Sequence, residues 1–298
     1  MPRFGCYELL SLIGRDGMAE VYRVRILEGV GAGDEVALKC LLPDALGDGE
    51  QARLFVGEAA LGQWLHHPNI VRVFESGELD NTFFLAMELV DGRDLHTILE
   101  TSRRHGMVLP IDCGTYLVTV LLEALAFAHC LFTPDGKLLR LVHCDVSPSN
   151  LFVSRLGDLK LGDFGIARAR ADGGGGARYG KAAYLPPEVL AGEPTSPLAD
   201  LWGAAVTLYE LYTNGLPFDG PNQNTIARQA LAGPPDVREG RPDVPDAIAD
   251  ALMTALHPDP AARFGTAELF AEALEPHLDR GVGTPLAIAA VVRGLFNG

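Results

Sequence analysis

His143 to Gly165 reads HCDVSPSNLFVSRLGDLKLGDFG, and the fold of the whole chain turns on this stretch. Leu151, Phe152 and Val153 form one apolar run, and Leu159 and Leu161 flank Lys160 in another. Arg155-Leu156-Gly157-Asp158 between them carries turn residues, so the spacing predicts a hairpin. Folding back near residue 156 sets Asn150 beside Gly162 and Asp163, with Asp145 across the mouth of the hairpin. Two carboxylates and one amide oxygen converge there, with no Lys or Arg from the stretch except Lys160. Hard oxygen ligands of this kind suit Mg²⁺, which binds through one or two carboxylates plus substrate phosphates and keeps several waters. The plainer reading is three polar loop residues facing water.

Composition narrows the classes. The chain has 298 residues, enough for one large domain or two lobes, and 48% hydrophobic residues, enough for an ordinary core. A net charge of −15 argues against a nucleic-acid partner. Cys6, Cys40, Cys113, Cys130 and Cys144 show no paired spacing, which fits a reducing compartment. MPRFGCYELL has no apolar signal core. The apolar run Pro285 to Val292 is far short of the roughly 20 residues that a membrane helix needs. A cytoplasmic location with no membrane contact within this chain is the expectation.

Tyr7–Ile13 and Glu20–Val24 read as strands around the turn Gly14-Arg15-Asp16-Gly17, whose backbone N–H groups could cradle phosphate. Val36–Lys39 reads as a third strand, with Val36 and Leu38 on one face and Ala37 and Lys39 on the other. Gln51–Leu65 has helical periodicity that sets Glu58 on the stripe of Leu54, Leu61 and Leu65. A carboxylate on a core-facing stripe needs a partner, and Lys39 is the natural one. His66-His67-Pro68-Asn69 stops that helix, and Ile70–Phe74 and Phe83–Glu88 complete a small antiparallel sheet. Beyond Val90-Asp91-Gly92 the chain turns helical: Asp94–Ser102, the apolar Ile111–Cys130, Leu198–Leu211 and Pro285–Phe296. Asp200 opens its helix, where it can cap or hold backbone N–H groups.

In this order the pieces resemble a eukaryotic-like (Hanks-type) Ser/Thr protein kinase domain of the bacterial kind, over about Tyr7 to Leu278. The resemblance implies an α+β bilobal fold. Residues 1–90 would form a small antiparallel-sheet lobe with one regulatory helix, 91–278 a mainly helical lobe, and 279–298 a helical extension. IGRDGMAEVY resembles the glycine-rich loop, placing Ile13, Gly14, Gly17 and Val21 over the nucleotide. VALK supplies Ala37 and Lys39, with Glu58 the helix partner of that lysine. AMELVDG is similar to the hinge, Met87 being the gatekeeper and Glu88 and Val90 offering backbone bonds to adenine above Phe152. HCDVSPSN implies Asp145 as base and Asn150 as a metal ligand, and DFG implies Asp163 as the other. PPEVL implies a buried pair between Glu188 and Arg263.

The implied activity is transfer of the γ-phosphoryl of ATP, with Mg²⁺ or Mn²⁺, to a protein serine or threonine. The implied partners are a protein substrate and room for a regulatory protein. Several positions depart from the pattern. Asp16 and Ala19 stand where glycines are expected. Cys144 replaces an Arg that pairs with a phosphorylated loop, and Asp163 to Glu188 contains no Ser or Thr, so control by Ser/Thr phosphorylation there is not expected. Ser147 stands where the family has a γ-phosphate lysine, and Lys181 where a Thr contacts the catalytic Asp, so Lys181 could supply the missing charge. These departures keep open a pseudokinase acting as a scaffold with weak or no turnover. A small-molecule phosphotransferase of related fold is the third reading, against which PPEVL and Arg263 argue.

Overall fold

Alternating apolar side chains build the first part of the chain. The computed structural model describes residues 2–15, 19–42, 62, 64–133, 135–164 and 181–296. It divides into two compact units, one reaching to Val90 and one beginning at Asp91. The first contains β1 (Arg3–Phe4), β2 (Tyr7–Arg15), β3 (Ala19–Ile26), β4 (Glu35–Leu41), β5 (Val73–Leu79) and β6 (Thr82–Met87). They form one sheet in the order β1-β2-β3-β4-β6-β5, with antiparallel pairing throughout. Tyr7, Val24, Val36, Leu38, Phe84 and Ala86 bury one face as a core, because successive side chains of a strand point to opposite faces.

The strand expected at Ile70–Phe74 lies later, at Val73–Leu79. Strand β5 is an edge strand and includes Glu75, Ser76 and Glu78, so it has no apolar run to mark it. Asp80 (φ 48°) and Asn81 (φ 59°) make the tight turn into β6, the left-handed pair that a two-residue hairpin requires. The helix expected at Gln51–Leu65, with Glu58, falls outside the described residues, apart from Gly62, the exposed Trp64 and the buried Leu65.

The second unit opens with β7 (Gly92–Asp94), which pairs with β8 (Leu151–Ser154), and β8 with β9 (Leu159–Leu161). Helix α1 (Leu95–Arg104) starts at Asp94, whose carboxylate accepts from Thr97 N and Thr97 Oγ1 at 2.8 Å each. Helix α2 (Ile111–His129) is long and apolar enough to cross a membrane by length and composition. Leu117, Leu121, Leu122 and Leu125 are all buried, so in this fold it is a core helix. There follow α3 (Pro187–Leu190), α4 (Pro197–Thr213), α5 (Gln223–Ala232), α6 (Val237–Gly240), α7 (Asp246–Ala255), α8 (Ala267–Leu274) and α9 (Pro285–Phe296). Helix α2 packs against α4 and α8, and α9 lies against α1.

Candidate active site

The hairpin forms as its residues predict. Leu151 pairs with Leu161, Phe152 with Lys160 and Val153 with Leu159. In the turn, Leu156 N and Asp158 N donate to Ser154 Oγ at 3.1 Å each. Gly157 has φ 91°, and a Cβ there would lie 1.8 Å from Pro285 O, so both conformation and space demand glycine. The ladder runs one step past the strands: Gly162 N donates to Asn150 O at 2.9 Å. That bond sets Asn150 beside Gly162 and Asp163.

Asp200, in the first turn of α4, holds the loop that precedes the hairpin. Its carboxylate accepts from His143 N and Cys144 N at 2.8 Å each and meets His129 Nε2 at 2.8 Å. Two backbone donors on one buried carboxylate let Cys144 keep a left-handed φ of 67°. Gly203, one turn later, allows close approach, since a Cβ there would lie 2.6 Å from Val146 O. His143 is fully buried and bridges both sides of the site. Asp145 N donates to its Nδ1 at 3.3 Å, so Nε2 carries the proton and donates to Gly162 O at 2.9 Å. Its ring also packs 4.7 Å from Phe164. Sequence reasoning missed this bridge; a histidine two residues before an aspartate was its only signal. Cys144 Sγ lies 3.5 Å from Val142 O and from Thr195 Oγ1, a packed thiol.

At the mouth of the hairpin, Asn150 Nδ2 donates to Asp145 O at 2.7 Å and to Asp145 Oδ2 at 3.0 Å. Lys181 Nζ meets the same Oδ2 at 2.5 Å. The stretch itself offers only Lys160 as a cation, and Lys181, expected where a Thr contacts the catalytic Asp, joins Asp145 from 36 residues beyond it. Reading along the hairpin alone could not place a lysine so distant in sequence. Ser147 is buried, its Oγ 3.2 Å from Ser149 Oγ. Asp163 has φ 49°, a strained backbone for a non-glycine residue that aspartate tolerates.

The donors fit a hard divalent cation. Asn150 donates through Nδ2, so its amide oxygen is the atom that could serve as a ligand, and Asp163 adds a carboxylate two residues past the strand. Among the described residues no group of three or more His, Cys, Asp or Glu could hold a metal. A cation here would therefore draw further oxygens from phosphate and water, as Mg²⁺ does.

In the sheet unit, Gly14 pairs with Val21, Val21 with Lys39, Lys39 with Leu85 and Ala37 with Met87. Paired and alternate positions share a face, so Gly14, Val21, Ala37, Lys39 and Met87 lie on the side opposite the Val24–Val36–Leu38–Phe84–Ala86 core. Lys39 is 5% exposed, which is unusual for a lysine. Burial pushes the pKa of its neighbour Cys40 up to about 11 and keeps that thiol neutral. Ile13 is exposed beside a register shift between Leu12 and Gly14. Glu88 N donates to Arg72 O at 2.8 Å, and Val90 is half-buried at the end of this unit. Gly17, Asp16 and the partner Glu58 lie outside the described residues.

The brace expected from PPEVL is present. Arg263 Nη1 and Nη2 donate to Glu188 Oε1 and Oε2 at 2.7 and 2.8 Å. The same guanidinium donates to His257 O at 2.7 Å and Pro258 O at 3.1 Å, and lies 4.6 Å over the Trp202 ring. Tyr184, nearer Lys181, donates to Glu210 Oε2 at 2.5 Å, and Arg103 pairs with the other oxygen of that carboxylate. Burial first, then the Glu210 carboxylate, push the Tyr184 pKa up, so the hydroxyl remains the donor.

A family model described as "Protein kinase domain" matches residues 7–274. Tyrosine-protein kinase MasK of Myxococcus xanthus is 34% identical over 99% of this chain and 46% of its own length. Serine/threonine-protein kinase PrkC of Bacillus subtilis is 32% identical over 89% of this chain and 39% of its own. The chain thus spans less than half the length of these relatives. The crystal structure of the Mycobacterium tuberculosis PknI kinase domain superposes with a TM-score of 0.69 at 30% identity, over 92% of this chain and 97% of that one. With the sheet unit, the helical unit and the loop–hairpin core all in place, this chain belongs to the protein kinase domain family, in its bacterial Hanks-type branch.

Proposed function

We propose that this chain transfers the γ-phosphoryl group of Mg-ATP to a serine or threonine hydroxyl of a protein substrate. The observation that carries the reading is Asp145, whose Oδ2 is held by Asn150 Nδ2 and Lys181 Nζ while Asn150 is tied to the Gly162–Asp163 segment. Phosphoryl transfer depends on positioning and charge neutralisation rather than on covalent chemistry by the protein. Asn150 and Asp163 would hold Mg²⁺, or Mn²⁺, which supplies charge neutralisation for the phosphates. Lys39 would bind the α/β-phosphates, with Glu58 as its partner. Asp145 would orient the substrate hydroxyl and take its proton. Ile13, Gly14, Gly17, Val21, Ala37, Met87 and Phe152 would contact the nucleotide. Since the Glu88 N–H is given to Arg72 O, a base would meet the Glu88 carbonyl and the Val90 backbone.

Serine and threonine are favoured by the names of relatives such as PrkC, whereas MasK is named a tyrosine kinase. No Ser or Thr lies between Asp163 and Glu188, so activity would not await Ser/Thr phosphorylation of that segment. The five cysteines are free, in keeping with a cytoplasmic setting. The test incubates the chain with labelled ATP, Mg²⁺ or Mn²⁺ and a generic protein substrate beside an Asp163→Asn control, and hydrolyses the product to phosphoamino acids. Phosphoserine or phosphothreonine, lost in the control, is the expected result. Phosphotyrosine would replace the acceptor class. No label and no nucleotide-induced thermal shift would leave the scaffold reading.

A further inference from the structure

We propose that Lys181 is the catalytic cation of this site, meeting the transferring phosphoryl group in place of any cation at position 147. The proposal rests on the phosphotransfer reading above and deepens it. Position 147, two residues past Asp145, is a buried serine whose Oγ lies 3.2 Å from Ser149 Oγ, a neutral hydroxyl pair. The positive charge comes instead from Lys181, whose Nζ is 2.5 Å from Asp145 Oδ2. Asn150 Nδ2 approaches the same oxygen at 3.0 Å. Both donors are thus gathered on Oδ2.

An ammonium has three donors, and one bond to Oδ2 leaves two for phosphoryl oxygens. The Lys181 side chain is 25% exposed, against 1% for Arg263 in the structural brace. A group sealed for stability would be covered; this one is open to an incoming ligand. Lysine is also a compact point charge on a flexible stem, suited to follow a phosphoryl group as it moves.

In the transfer step the substrate O–H bond breaks and its proton goes to the Asp145 carboxylate. The hydroxyl oxygen forms a bond to the γ-phosphorus, and the bond from that phosphorus to the β,γ-bridging oxygen breaks, its electron pair leaving on ADP. Lys181 stays protonated throughout and offsets the charge that gathers on the equatorial oxygens.

The test compares binding of Mg-ADP alone with Mg-ADP plus aluminium fluoride, a mimic of the planar phosphoryl group, by titration calorimetry. The proteins are wild type, Lys181→Ala, Lys181→Arg and the double variant Lys181→Ala/Ser147→Lys. Loss of one such donor should cut the preference for the fluoride complex about 10-fold to 100-fold in Lys181→Ala, with affinity for Mg-ADP alone changed by less than about 3-fold. Lys181→Arg and the double variant should regain part of it. An undiminished preference in Lys181→Ala overturns the proposal. So does an equal loss for both ligands, or a loss that Lys181→Arg does not repair and that accompanies a lowered melting temperature. A wild type that shows no preference overturns it as well. A wild type that shows the preference, with its loss in Lys181→Ala, yet labels no protein leaves the proposal standing and removes the protein-kinase reading.

Discussion

The helical unit contains two carboxylate–cation pairs built for opposite ends. Arg263 and Glu188 meet through two parallel bonds, and the same guanidinium also serves two carbonyls and stacks on Trp202. Nearly every donor is spoken for and the Arg263 side chain is 1% exposed. Lys181 and Asp145 meet at one carboxylate oxygen, with side chains 25% and 13% exposed. The first arrangement is saturated and rigid, because a planar fork on a carboxylate allows one geometry. The second engages Lys181 through a single bond and leaves its side chain partly open, as a site that must exchange ligands requires. Satisfaction and burial, rather than the presence of an ion pair, separate a brace from a working site.

The comparison can be broken at either end. Asp145→Asn should lower phosphotransfer by about 10² to 10⁴, the usual cost of a lost proton acceptor, with little change in melting temperature. Initial rates at saturating Mg-ATP and a thermal melt check both halves, and a normal rate would remove Asp145 from the chemistry. Arg263→Ala leaves Glu188 and two carbonyls without their donors and should cost about 3–5 kcal/mol of stability, read by denaturant unfolding. Undiminished stability there would show that saturation is no guide to structural weight. At the weak end stands Arg155–Asp91, at 3.0 Å but 70% and 79% exposed. Solvent screening limits such a pair to about 0–1 kcal/mol, so Arg155→Ala should barely move the same unfolding curve. A larger loss would mean that exposure does not grade these pairs.

Much of the framework was legible because it is local. The β8–β9 hairpin follows from two apolar runs around a turn with Gly157, α2 from its long apolar run, and α9 was expected at Pro285–Phe296, where it lies. Strand β5 was displaced in the reading because an edge strand need bury only one side, so its polar residues hide it. The Glu188–Arg263 pair, 75 residues apart, was legible only through the resemblance of PPEVL to a known motif.

The sequence by itself determined which residue types converge at the hairpin mouth: Asp145, Asn150 and Asp163 lie within 19 positions, and backbone pairing near Leu156 must bring their ends together. Only the tertiary structure decided how that mouth is held and charged. Asp200 fastens His143 and Cys144 from helix α4, His143 joins the loop to Gly162, and Lys181 arrives on Asp145 from a distant segment. The physical reason is range. Strand pairing and helical periodicity act between near neighbours and leave a mark in the order of residues. A buried carboxylate or ammonium takes its partner from whatever packing brings within 3 Å, and packing has no period to read.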